Sequence, residues 1–150
     1  MSKQDQPRRF DAILERAIEF HGHYGPFLVM GVRMGLIGLR ALNSEKGDKR
    51  LQVTAALEYS IPFSCVLDGI QVTTGCTFGN QRLTLKNAPS ISAEFQRSKK
   101  KQVTVAVNQL AFNEVKMRVL AEKISSSKME ELAQRLRSVP EKDLFVIVGE

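Results

Sequence analysis

The sequence predicts an α+β fold: an antiparallel-rich central sheet flanked by helices. Three observations carry this prediction. Apolar residues recur at helical spacing in residues 10–42 and again from Leu110. Strand-like alternation fills residues 51–59 and 82–107. Strands grouped in the middle of a chain, with helices before and after, are the α+β pattern. No repeat, low-complexity tract or Pro/Gly/Ser linker divides the 150 residues, a length that suits one domain. The expectation is a flexible polar segment over 1–9 and one domain over 10–150.

Phe10, Ile13, Leu14, Ala17 and Ile18 give a first amphipathic helix ending near Phe20. His21-Gly22-His23-Tyr24-Gly25-Pro26 then stops it and starts the next, with Pro26 at a first-turn position. The second helix, 26–42, is apolar on most sides and holds Gly31, Gly35 and Gly38. Each of these costs about 1 kcal/mol relative to Ala in a helix interior. Close backbone packing offsets that cost, which makes this helix either central or part of a dimer interface.

Leu51 to Tyr59 reads as a strand, and a third helix follows over 63–74. Gly75-Cys76-Thr77-Phe78-Gly79-Asn80 is a glycine-bounded turn. Residues 82–86, 90–96 and 102–107 read as three strands joined by turns, which suggests antiparallel pairing. A helix over 110–124, another over 128–136 with Ser127 as its cap, and a strand over 144–148 complete the chain.

Lys and Arg total 22 against 16 Asp and Glu, a net charge of +6. The dense basic run is Arg97-Ser98-Lys99-Lys100-Lys101, and it joins two strand-like segments, where charge is natural on a loop tip. Without Trp, and without Tyr interleaved in the run, it lacks the stacking platform of a nucleic-acid surface. The first nine residues carry no apolar signal core, and Arg33 and Arg40 interrupt the longest apolar stretch, which argues against a membrane span. Two cysteines without an export signal fit a reducing cytoplasm, where they serve as thiols or ligands more often than as a disulfide.

The residues that carry chemistry are His21, His23, Cys65 and Cys76. Positions i and i+2 of an extended turn point the same way, so both histidines can face one site. Both also precede a helix N-terminus, a favourable place for an anion. A loop whose glycine permits the turn, and whose histidines satisfy buried carbonyls, suits the motif equally. Cys65 lies in the first turn of the third helix, where the dipole lowers a thiol pKa. A small buried apolar role suits it too. Asp68, one turn on, fits either a carboxylate that orients a ligand or a first-turn acid. Gln71 shares its polar stripe. Cys76 stands 11 positions from Cys65 across a helix of about 15 Å, so the two meet only if the turn folds back or a second copy of the chain contributes one.

Phe20-His21-Gly22-His23 with Pro26, then Gly31 and Arg33, resembles the opening of the FmdE family, named for a component of formylmethanofuran dehydrogenase. Cys65-Val66-Leu67-Asp68-Gly69-Ile70-Gln71 and Thr74-Gly75-Cys76-Thr77-Phe78-Gly79 resemble its next two blocks. The family pattern reads approximately FHGHxCPG, CxxDxIQ and GCTxGxG, in the same order over about residues 10–110. The resemblance implies an FmdE-like α+β core, a homodimer, and a cleft where the histidine turn meets the cysteines. It implies metal ligands at His23, Cys65, Cys76 and His21, with His21 ranked last because it adjoins the end of the first helix, catalytic roles for Cys65, Asp68 and His21, and ligand contacts from Gln71, Thr77 and Arg33. Gly25 stands where the family usually carries a cysteine, and no cysteine follows Cys76, so the C-terminal zinc-ribbon-like module of many members is not expected here.

Imidazole with thiolate suits a transition metal, with zinc first and nickel or iron next, and does not suit magnesium or calcium. Two functional classes follow. One is a metal-dependent enzyme, an oxidoreductase or a component of one, acting on a small molecule. The other is a non-catalytic metal or cofactor carrier that docks to a larger redox complex.

Overall fold

A computed structural model describes residues 5–121 and 125–149. The elements are α1 (Asp5–His21), α2 (Pro26–Ala41), β1 (Gln52–Leu57), α3 (Cys65–Thr74), β2 (Leu83–Asn87), β3 (Ser92–Ser98), β4 (Lys101–Val107), α4 (Gln109–Ala121), α5 (Ser126–Ser138), α6 (Glu141–Leu144) and β5 (Phe145–Gly149). Helices and a five-stranded mixed sheet make an α+β fold.

The strand order is β2-β1-β3-β4-β5. The β1–β3, β3–β4 and β4–β5 pairs are antiparallel, in keeping with the expected sheet. The β1–β2 pair is parallel, against the expected antiparallel pairing for that strand. The physical reason is α3, which lies between the two strands and returns the chain to the starting end before β2 begins. One sheet face buries Val53, Ala55 and Leu57 of β1, Ala93 and Phe95 of β3, and Val103, Val105 and Val107 of β4.

Helix α2 is central. All but four of its residues are buried, and it touches the sheet where Gly38 meets the Phe95 ring. A Cβ on Gly31 would overlap the Val66 carbonyl, one on Gly69 would fall 2.6 Å from the Val32 nitrogen, and one on Gly35 would fall 2.7 Å from Thr73 Cβ. The glycines therefore let α2 and α3 cross nearly backbone to backbone. That close approach fixes α3, and with it Cys65, against the segment that begins α2.

Two boundaries depart from the sequence expectation. Helix α1 already starts at Asp5, inside the stretch expected to be flexible, while residues 1–4 lie outside the described residues. Helix α5 is capped by Ser125, whose hydroxyl accepts from the Lys128 amide, and not by Ser127. The expected end of the 110–124 helix falls on residues 122–124, outside the described ones. The short α6 adds a turn that the sequence pattern did not show.

Candidate metal centre

The site forms where the end of α1 meets the start of α3. The Gly22 amide donates to the Ile18 carbonyl and closes α1. Gly22 then takes φ +102°, a left-handed turn open to glycine at little cost. This turn swings His23 back beside His21, with ring centroids 4.3 Å apart and planes at 75°. The backbone at Gly25 is extended, and Pro26 opens α2.

From the other side, Ser60 to Ser64 wind tightly into α3 and place Cys65 at its first position. One ligand atom each from His21, His23 and Cys65 then lie within 4.8 Å of one another. Donors about 2.0–2.3 Å from a tetrahedral ion stand roughly 3.3–3.8 Å apart, so small side-chain rotations let these three share one metal.

His21 carries the sharpest detail. Its Nδ1 stands 2.6 Å from Asp68 Oδ2. Its Nε2 is buried and has no hydrogen-bond partner among the described residues. A carboxylate that holds one ring nitrogen as the donor turns the other into a bare lone pair, the arrangement metal-bound histidines adopt. Asp68 therefore orients His21 and is not merely a first-turn acid. Gln71 extends the chain of bonds: its Nε2 donates to Asp68 Oδ1 at 3.2 Å, and its Oε1 accepts from the Phe78 amide at 3.4 Å.

These groups lie on a cleft of about 480 Å³. Its polar floor includes His21, His23, Cys65, Asp68 and Gln71. Its rim includes Tyr59, Ile61 and Phe78, none of which the sequence nominated for the site. Tyr59 reads as the end of a strand and Phe78 as part of the third family block, and neither position signals that its side chain faces the cleft.

The thiol electrostatics reverse the sequence expectation. Burial, and then the Asp68 charge, push the Cys65 thiol up to about 11. The Cys65 backbone amide still lowers it, but burial and the Asp68 charge outweigh that contribution, and the amides of this helix start are otherwise engaged. The Ser64, Cys65, Val66 and Leu67 amides donate to the Ser60, Pro62, Phe63 and Ser64 carbonyls. Burial, and then the neighbouring His21, lower the His23 pKa and favour the neutral imidazole that binds metals.

Three sequence-nominated residues lie elsewhere. Cys76 is fully buried, and its Sγ donates to the Leu51 carbonyl at 3.4 Å. It is not among the donors that meet, which corrects the four-ligand expectation; the left-handed Gly75 turns the chain under β1 instead of back toward Cys65. Burial also pushes the Cys76 thiol pKa up. The Thr77 hydroxyl accepts from the Asn80 amide, and its own amide donates to Asn80 Oδ1, so it shapes the turn. Arg33 donates to the Leu136 and Val139 carbonyls at 2.7 Å and lies over the Phe145 ring, so it ties α2 to the end of α5. Gly25, where the family pattern carries cysteine, presents its face to the site: a Cβ there would lie 3.6 Å from His23 Nδ1 and Cε1.

The fold and the donor set define a class, an α+β protein whose cleft offers imidazole and thiolate donors suited to a transition metal. The chain belongs to the FmdE family, whose description is "Molybdenum formylmethanofuran dehydrogenase operon" and whose pattern matches residues 20–146. It is 40% identical over 103 residues to a probable S-adenosyl-L-methionine-binding protein of Archaeoglobus fulgidus. That match covers 64% of this chain and 26% of the relative, so this chain spans about a quarter of that protein's length. The fold is similar to the crystal structure of a tungsten formylmethanofuran dehydrogenase FmdE-like protein from Syntrophus aciditrophicus. The TM-score is 0.64 at 21% identity, covering 93% of this chain and 70% of that one. Among the described residues no helix is long and apolar enough to cross a membrane.

Proposed function

We propose that this protein binds a transition metal through His21, His23 and Cys65 and presents it, with a coordination position left open, to a small molecule in the cleft. The observation that carries this reading is His21, with Nδ1 held by Asp68 and Nε2 buried without a partner. A buried polar atom left bare is unfavourable by about 1–3 kcal/mol, and a metal ion removes that penalty. Zinc suits the donor set first, with nickel or iron next. When bound, such an ion polarises a ligand oxygen or lowers the pKa of a bound water. Cys65 supplies the thiolate, Asp68 keeps the His21 lone pair aimed inward, and Gln71 steadies Asp68.

Three protein donors with an open position are the layout of a catalytic site rather than a closed structural one. That favours a metal-dependent enzyme, or a component of one, over a carrier. The FmdE family's link to a dehydrogenase operon supports a role within a larger redox assembly. The Archaeoglobus relative's name favours a second reading, in which the cleft takes S-adenosylmethionine. The aromatic rim of Tyr59 and Phe78 suits its adenine ring.

The test is elemental analysis and cobalt substitution of untagged protein. Near-stoichiometric metal and a thiolate-to-cobalt absorption band are expected, both lost in Cys65→Ser and His23→Ala. Absence of bound metal in correctly folded wild-type protein would falsify the reading. Calorimetry with S-adenosylmethionine on the loaded and metal-free protein decides the second reading.

A further inference from the structure

We propose that the cleft selects a neutral or cationic small molecule with a flat apolar portion, and discriminates against anions. This rests on reading the His21–His23–Cys65 cleft as the functional site. Its volume of about 480 Å³ is that of a small-molecule site. Around its mouth, Tyr59, Ile61 and Phe78 are 70%, 85% and 45% exposed. Large apolar groups left open around a polar floor offer a surface for a flat apolar ligand.

The charge pattern is the stronger argument. The protein has 22 Lys and Arg and a net charge of +6, yet among the described residues no Lys or Arg lines this cleft. The carboxylate that does line it, Asp68, is negative. Basic side chains gather at other hollows instead: Arg33, Arg40 and Arg137 at one, and Arg50 and Arg97 at another. Lys116, on the neighbouring α4, lies over the Phe63 and Phe112 rings. The amides at the start of α3 are spent on backbone carbonyls. A divalent ion on the floor would be balanced by the Cys65 thiolate and the Asp68 carboxylate. An anionic ligand therefore loses its hydration and finds only neutral donors in the wall, such as the Ser64 and Tyr59 hydroxyls, with no Lys or Arg among the described lining residues to balance its charge.

The experiment uses the full chain loaded with cobalt and two probes that share one metal-binding donor. They are 4-phenylimidazole and its para-carboxylate analogue. The neutral probe is expected to bind roughly tenfold or more tightly than the carboxylate. Phe78→Ala should weaken the neutral probe by roughly tenfold. Ile61→Lys, a change at a highly exposed position, should narrow or reverse the preference by adding a cation to the rim. Circular dichroism checks that each variant folds. Equal or tighter binding of the carboxylate by wild type overturns the proposal, as does an unaltered preference in Ile61→Lys. A missing cobalt band overturns the metal reading alone, and NMR titration of both probes on metal-free protein then decides the charge preference. If neither probe binds and Ile61→Lys converts a dimer to monomers, the rim belongs to a second copy and the proposal falls.

Discussion

Asp68→Asn separates charge from shape at the centre of the site. The Asp68 carboxylate uses both oxygens: Oδ2 faces His21 Nδ1 at 2.6 Å, and Oδ1 accepts from Gln71 Nε2 at 3.2 Å. Asn keeps one acceptor. If that oxygen stays with His21, the new amide NH₂ confronts the Gln71 NH₂. Gln71 cannot simply flip, because its Oε1 already accepts from the Phe78 amide. The variant therefore loses the negative charge that strengthens the His21 lone pair and also loosens the tie from α3 to the rim. Carboxylate partners of ligating histidines are worth 10–100-fold in metal affinity, about 1.4–2.7 kcal/mol. The assay is competition for zinc against a chromophoric chelator, with Gln71→Ala alongside. Asp68→Asn should fall in that range, and Gln71→Ala should lose less, since it keeps the charge. Wild-type affinity in a folded Asp68→Asn, or an equal loss in Gln71→Ala, would refute the proposed orientation of His21.

Three further outcomes follow from the same structure. Cys76→Ala should lower unfolding stability by about 1–2 kcal/mol, because it hollows a fully buried position, while metal content stays at the wild-type level; loss of metal would contradict the placement of Cys76 outside the donor group. Gly31→Ala should destabilise by about 3 kcal/mol in urea titration and reduce metal content, because the new Cβ meets the Val66 backbone and displaces the helix carrying Cys65; an unchanged Tm would refute the close α2–α3 crossing. Asp48 accepts from Ser44, Arg50 and Arg97, and its hydrogen bonds to Arg50 and then Ser44 hold its carboxyl well below the usual carboxylate range. A depressed carboxylate pKa stabilises the fold above the unfolded value of about 3.9 and loses that contribution as pH falls below it toward the folded value. Asp48→Asn should accordingly flatten the acid side of the stability–pH curve below about pH 4 and leave little difference from wild type near full protonation.

The α+β class and the helix–strand succession were legible in the residues themselves, while the nearness of the histidine turn to Cys65 was implied only by the family resemblance. Periodicity reports which face of a segment is buried, and Gly22, Gly25 and Pro26 report where the chain must turn. The three glycines of α2 announced a close crossing because their deficit in helix propensity needs compensation. Local pattern could not reveal the parallel β1–β2 pair, since pairing direction depends on where α3 returns the chain. Local pattern also ranked Cys76 above His21 as a ligand, the reverse of what the structure shows, because only the assembled fold buried Cys76 against Leu51 and turned His21 inward onto Asp68. The Cys65 thiol shows the same division. Its position in the chain suggested a depressed pKa, yet the burial and the Asp68 charge that raise it arise from contacts the sequence does not record. Residue order alone thus established which chemical groups this protein brings and roughly where in the fold each stands. Which of them meet was set by the packed chain, because a binding site is made by distances between segments far apart in sequence.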